Sequence, residues 1–103
     1  MKIPKKISVL GVPYKIQLKD KLENDAGELS DTHLGWTIEG QHIIQLATTD
    51  LFCDDIKEQT LFHELVHAIM YESGLTRTIN ASDNEIFAQV FGNAFHQIFK
   101  QMV

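Results

Sequence analysis

Hydrophobic and polar residues alternate along the first half of the chain. In Val12–Leu18 every second residue is apolar, which is the period of a β-strand with one buried face. Lys5–Leu10 alternates in the same way, and Gly11 between the two segments predicts a hairpin turn. His33–Glu39 and Gln41–Leu46 are predicted to form a second hairpin. The pattern therefore predicts three or four strands in a small antiparallel or mixed sheet.

Two long helices are predicted to follow the sheet. The first runs from Asp54 or Asp55 to Tyr71 or Glu72, and the second covers Ser82–Val103. In the second helix, apolar residues recur at spacings of three and four, which predicts that they form part of the core. These residues are Phe87, Val90, Phe91, Ala94, Phe95, Ile98 and Met102. The predicted fold is α+β, with the N-terminal sheet packed on two helices in a single domain over residues 1–103.

Composition and charge narrow the classes of function. A hydrophobic fraction of 44% and a charged fraction of 22% are ordinary for a globular protein. With a net charge of -5 and no dense basic cluster, a nucleic-acid partner is not expected. Cys53 is the only cysteine, which excludes a disulfide within the chain. No apolar run reaches the length of a membrane span, so we predict a cytoplasmic protein without a membrane partner. The polar segment Asp20–Asp31 is predicted to be a surface loop or a frayed turn.

The segment Thr60–Ile69 contains HELVH, an H-E-x-x-H motif. On a helix, residues four apart lie on one face, so His63 and His67 point toward the same place. Most of their neighbours are large and apolar, which predicts a buried helix whose imidazoles need polar partners. A zinc ion would satisfy both, and Glu64 would then act on water rather than bind the metal. The alternative is a chance match on an ordinary helix with partly exposed histidines.

A catalytic zinc ion usually has three protein ligands. The candidates for the third are Glu85, Asp83, His96, His33, His42 and Glu72. Glu85 is favoured because the apolar residues after it are expected to turn the second helix toward the first, and Asp83 is the alternative. Ser82 and Glu85 also fit a capping box, in which Glu85 only caps its own helix. His96 lies roughly 16 Å further along that helix and cannot share a metal with Glu85. Gln89 is predicted to hydrogen-bond a ligand histidine.

These segments resemble parts of a known enzyme family. Thr60–Ile69 looks like the active-site helix of the zincin metallopeptidases. Asp83–Phe91 is similar to the glutamate-bearing helix of the ImmA/IrrE-like peptidases. The resemblance implies a phage or prophage origin, since small proteins of this kind are often encoded there. The resemblance implies a Zn²⁺-dependent peptidase that acts on a peptide or protein. It implies three metal ligands and one catalytic base, namely His63, His67, Glu85 and Glu64.

The expected reaction is hydrolysis of a peptide bond, with Glu64 as the general base. The substrate is predicted to pair as an added strand with the segment Ile43–Ala47. Tyr71 is considered as a donor to the oxyanion, although a position at the rim of the core is favoured for it. A second hypothesis is a catalytically silent, metal-stabilised module that holds a partner along its sheet edge. Glu64 argues against that module, because a structural metal site needs no base. The oligomeric state is left open.

Overall fold

The computed structural model describes residues 3–20, 22–23, 29–30, 34–48 and 54–103. It confirms the predicted α+β fold, a small sheet followed by two long helices. The strands are β1 (Lys6–Val9), β2 (Val12–Lys19), β3 (Leu22–Glu23), β4 (Leu29–Ser30), β5 (Gly35–Ile38) and β6 (Ile43–Ala47), and the helices are α1 (Asp54–Glu72) and α2 (Ala81–Met102). In the described part of the chain, neither helix is apolar enough over a sufficient length to cross a membrane.

Four strands form a mixed sheet in the order β1-β2-β6-β5. Both predicted hairpins are confirmed, since β1 pairs antiparallel with β2 and β5 pairs antiparallel with β6. The hairpins join through β2 and β6, which run parallel. β6 therefore lies inside the sheet with both of its edges paired. The prediction that a substrate strand pairs with Ile43–Ala47 is wrong, because that segment is β6, whose two edges already pair with β2 and β5.

The polar segment Asp20–Asp31 contains a short hairpin that the sequence analysis missed. β3 and β4 pair antiparallel there over two residues each. Leu22 is completely buried, so an isolated apolar residue among charged ones packs against the rest of the protein. Residues 21, 24–28 and 31 of the segment lie outside the described part of the chain.

One face of the sheet packs against α1. The sheet contributes buried residues from β2 and β6 to this core, and α1 contributes Leu61 and Ala68. The members that the sheet contributes include Tyr14, Ile16, Ile44 and Leu46. Burying a large aliphatic side chain stabilises the fold by about 1.5–3 kcal/mol relative to leaving it exposed. This core therefore holds α1, with its HELVH segment, firmly on the sheet.

α1 and α2 pack through small residues. Ala88 is completely buried, and Gly92 is buried on the same face of α2. A Cβ atom at Gly92 would lie 2.8 Å from His63 Cα and 3.0 Å from His63 N. Real Cβ atoms essentially never approach so closely, so only glycine allows this contact. The backbone of α2 therefore lies directly against the backbone of α1 at the first motif histidine.

The apolar stripe of α2 points away from α1, and the prediction that it forms part of the core is wrong. Phe87 and Phe91 are each 42% exposed, and Ile98 is 52% exposed. A helical repeat identifies an apolar face but does not say which neighbour covers it. α1 packs against the face of α2 that carries the smallest side chains, because the close approach of the two backbones leaves no space for larger ones.

We predict that Gly92→Ala destabilises the protein by about 1–3 kcal/mol, because the added methyl group must push α2 away from the backbone of His63. Helix propensity alone predicts the opposite sign, a gain of about 1 kcal/mol. Urea unfolding followed by circular dichroism measures the change. Gln97→Ala, at an exposed position of α2, is the control and should change stability by less than about 0.5 kcal/mol. A Gly92→Ala protein as stable as the wild type would contradict the close packing.

Candidate metal centre

Two imidazoles of α1 and one carboxylate of α2 meet beside the helix interface. Glu85 Oε1 lies 2.8 Å from His63 Nε2, and Glu85 Oε2 lies 3.1 Å from His67 Nε2. The two imidazole rings, one helical turn apart, have centroids separated by 5.0 Å. The histidine side chains are 17% exposed and the Glu85 side chain is 63% exposed. The structure thus brings together the three residues that the sequence analysis assigned to the metal, at a site that opens to solvent on one side.

The start of α2 is capped by a residue other than Glu85. Asn80 is the N-cap, and its side-chain oxygen accepts a hydrogen bond of 2.8 Å from the backbone N–H of Asp83. This is the usual role of an asparagine at a helix N-terminus. The Glu85 carboxylate instead extends across the interface to α1. Asp83, the alternative third ligand, is exposed in the first turn and is not a member of the cluster.

The orientation of His67 is set by Asn84, a residue that the sequence analysis did not single out. His67 Nδ1 lies 2.8 Å from Asn84 Oδ1. An amide oxygen only accepts hydrogen bonds, so this contact puts the imidazole proton on Nδ1. Asn84 therefore has the role that the sequence analysis gave to Gln89. Its position next to Glu85 in the first turn of α2 was the signal that could have identified it.

The donor atoms of the cluster fit a divalent cation. In the tautomer that carries its proton on Nδ1, His67 presents the lone pair of Nε2 to Glu85 Oε2 at 3.1 Å. Two acceptors in contact repel each other unless a proton or a cation lies between them. The candidate ligand atoms of His63, His67 and Glu85 all lie within 4.8 Å of one another. Imidazole nitrogen and carboxylate oxygen are ligands that zinc uses, so the residues present suit zinc.

Glu64 lies beside this cluster and is held by the sheet. Its side chain is almost fully buried, and the Thr37 hydroxyl donates to Glu64 Oε1 at 2.9 Å. Thr37 Oγ1 also lies 3.1 Å from the backbone oxygen of Glu64. Burial raises the pKa of Glu64, while the neighbouring His67, the hydrogen bond from Thr37 and His63 act in the opposite direction. Thr37 was not predicted from the sequence, yet it fixes the orientation of this carboxylate from β5.

A cleft of about 420 Å³ runs between β5 and the helices, over the cluster. Residues 35–37 of β5 and Glu39 form one wall, and Glu64 and the three candidate ligands form the other. Burial raises the pKa of Glu39. A second cavity of about 310 Å³ adjoins the cleft, and its lining includes the carboxamides of Gln59, Gln89 and Asn93. The candidate metal centre is therefore reached from a groove that follows the edge of the sheet.

Three other residues considered in the sequence analysis, His42, Glu72 and Tyr71, are not members of the cluster. His42 Nε2 lies 3.7 Å from Glu72 Oε1, and both stand near Tyr14, which donates to Glu72 at 3.4 Å. Burial, together with Glu72, raises the pKa of Tyr14 to about 12. Tyr71 is 40% exposed and is not among the described residues that line the cleft. His33 lies outside the described residues.

His96 belongs to a separate charged group at the other end of the helix pair. Its Nε2 lies 3.4 Å from Glu58 Oε1 and 3.7 Å from Asp55 Oδ1. Lys100 Nζ lies 2.8 Å from Asp55 Oδ1 and lowers the pKa of that carboxyl. Because a lysine already pairs with Asp55, this group is satisfied as an ion-pair network that ties the end of α2 to the start of α1.

Comparisons of the chain with protein-family models, with curated proteins and with solved structures found no match.

We predict that Asn84→Ala weakens zinc binding by about 10–100-fold, because His67 loses the acceptor that fixes its proton and its orientation. Gln89→Ala is the matched control on the same helix and should leave the affinity unchanged. Competition with a chromophoric zinc chelator measures both dissociation constants. Equal losses in the two variants, or no loss in Asn84→Ala, would show that Asn84 does not position His67.

We also predict that Glu64→Gln makes the metal-free protein more stable than the wild type at pH 7. Burial raises the pKa of Glu64, so the ionised carboxylate opposes folding above that pKa, whereas a neutral amide does not. As the pH falls through the raised pKa, the wild-type carboxylate becomes neutral and the difference between the two proteins should shrink. Urea unfolding in the presence of a chelator, at several pH values, measures it. A stability difference that is the same at every pH, or a less stable variant at pH 7, would be the contrary result.

Proposed function

We propose that this protein is a zinc-dependent metallopeptidase of the zincin type that hydrolyses a peptide bond in a peptide or protein. The observation that carries the proposal is the contact of His67 Nε2 with Glu85 Oε2 at 3.1 Å, while Asn84 accepts the proton of the other ring nitrogen. Such a pair of acceptors requires a cation or a proton. The H-E-x-x-H motif, the position of Glu64 and the resemblance to the ImmA/IrrE-like peptidases support zinc and peptide hydrolysis.

His63, His67 and Glu85 would hold the zinc ion. When bound, zinc supplies Lewis acidity, which polarises a carbonyl group and makes a water molecule more acidic. Glu64 lines the cleft and has one carboxylate oxygen held by the Thr37 hydroxyl. In the proposed reaction its carboxylate accepts a proton from the attacking water and passes it to the leaving amine. Thr37 keeps the carboxylate aimed into the cleft during both transfers.

The edge of β5 is the proposed binding surface for the substrate. β5 pairs with β6 along one edge, and residues 35–37 line the cleft over the candidate metal centre. An extended peptide can add to such an edge through main-chain hydrogen bonds. Because Thr37 belongs to this strand and also holds Glu64, the same strand would position the substrate and the base.

Two features favour an enzyme over a metal-stabilised binding module. A structural zinc site is usually closed by four protein ligands, whereas a catalytic site keeps one position open. The cluster in the described part of the chain contributes three ligands and borders an open cleft. A binding module would also gain nothing from Glu64, a carboxylate that is almost fully buried against the cluster at a cost in stability.

Zinc analysis combined with hydrolysis of a peptide library tests the proposal. The wild type should bind one zinc ion per chain and cleave peptides. Glu64→Gln should keep the zinc and lose at least about 100-fold in rate, because the base is gone. Glu85→Ala should lose zinc affinity and activity together. Asp83→Asn, two residues away and outside the cluster, is the control and should keep both.

Three results would count against the proposal. A wild type that binds zinc but cleaves no member of the library leaves the binding module as the better account. A wild type that binds no zinc removes the metal centre altogether. Full activity in Glu64→Gln would show that another group is the base.

A further inference from the structure

The outward face of α2 is apolar over almost its whole length. From Ile86 to Phe99 the sequence contains no Asp, Glu, Lys or Arg. The rings of Phe87, Phe91 and Phe95 stack in sequence, with centroid separations of 5.5 and 6.2 Å. Seven large apolar side chains of this face are between 42% and 79% exposed: Ile86, Phe87, Val90, Phe91, Phe95, Ile98 and Met102. A contiguous apolar surface of this kind marks a site of interaction.

A regular seam runs along the middle of this face. We call Phe87, Phe91, Ala94 and Ile98 the outer seam, and their spacings of four, three and four are those of helices that pack side by side. At 100° per residue, the outer seam lies on the far side of α2 from Gly92 and His96, which face α1. A helix that is apolar on both sides is normally covered on both sides.

We propose that a second copy of this chain covers the outer seam, with the two α2 helices packed antiparallel about a twofold axis. The seam is symmetric about its midpoint, so an antiparallel pair sets Phe87 opposite Ile98 of the second copy. The same register sets the large Phe91 opposite the small Ala94. In the two central layers a large residue therefore faces a small one, which allows the helices to pack closely there.

The helix dipole and Asp83 favour the antiparallel orientation. Glu85 and Lys100 face α1, where they contact the two motif histidines and Asp55 respectively, so the orientation does not depend on them. A parallel pair would set the two Asp83 carboxylates at the same end and would also align the two helix dipoles unfavourably.

The available area is close to what a stable dimer needs. Seven side chains with these exposed fractions still present on the order of 600–700 Å² of apolar surface. A standard interface buries about 800 Å² per partner, and the rim of the face can supply the difference. The cleft over the candidate metal centre lies between α1 and β5 and is bordered by Glu85, which turns toward α1, so a partner on the outer seam leaves it open.

Sedimentation equilibrium of the full chain tests the dimer. We expect the wild type to be dimeric at about 10 µM and Phe91→Glu to raise the dimer dissociation constant at least about 30-fold, the loss typical of a central interface residue. Leu18→Glu is the matched control, because Leu18 is a large apolar residue of β2 that is 54% exposed. Circular dichroism and zinc binding verify that each variant is folded. The dimer does not depend on peptidase activity, so either proposal can fail without the other.

Cross-linking of single-cysteine proteins tests the register. In a Cys53→Ser background, a mixture of Phe87→Cys and Ile98→Cys chains should form a mixed disulfide dimer under mild oxidation. Each variant alone should form no disulfide dimer, because the equivalent cysteines of its two copies would lie roughly 16 Å apart along the helix axis. Disulfide dimers of each variant alone, without the mixed species, would overturn the antiparallel arrangement. A wild type that stays monomeric at 100 µM would overturn the proposal. If that monomer floats with phosphatidylcholine vesicles, a membrane surface rather than a second copy covers the outer seam, and the proposal is overturned in that case too.

Discussion

The candidate metal centre depends on how closely the polypeptide backbone approaches α1 from two sides. On one side, a Cβ atom at Gly92 would lie 2.8 Å from His63 Cα. On the other side, a Cβ atom at Gly35 would lie 2.7 Å from Thr60 Cγ2. Both contacts fall within one turn of the motif, so a larger side chain at either position would move α2 or β5 away from it. The carboxylate of Glu85 and the hydroxyl of Thr37 reach their partners on α1 because α2 and β5 lie so close to it.

The polar groups of the site on α1 are consequently held by two other parts of the fold, α2 and β5. α2 supplies Asn84 for one nitrogen of His67 and Glu85 for the other, at 2.8 and 3.1 Å. β5 supplies the hydroxyl that holds the buried Glu64. Burying a carboxylate and two imidazoles costs stability, and the core between the sheet and α1 offsets that cost. A site built in this way is rigid because its partners come from elements that are themselves packed.

The sequence was sufficient for the four strands of the main sheet, for both helices and for the three candidate ligands, but not for the β3–β4 hairpin or for the faces that the elements bury. The alternation in Val12–Leu18 identified β2, and the spacing of four in HELVH placed two imidazoles on one face of α1. Hydrophobic periodicity failed for α2, because helix approach selected Ala88 and Gly92 rather than the phenylalanines. Asn84 and Thr37 have no pattern of their own, since their roles exist only when separate elements meet. The internal position of β6 depends on its parallel pairing with β2, a long-range contact that no local pattern reports.

X-ray absorption at the zinc edge, on protein loaded with one equivalent of zinc, tests the central claim most directly. Convergence of His63, His67 and Glu85 predicts a first shell of nitrogen and oxygen only, at about 2.0–2.1 Å, with the scattering signature of two imidazoles. Substitution of Glu85 by alanine should then remove one oxygen ligand or abolish loading. A sulfur ligand from Cys53, or a shell with fewer than two imidazoles, would contradict the account, because the metal would then lie somewhere other than between α1 and α2.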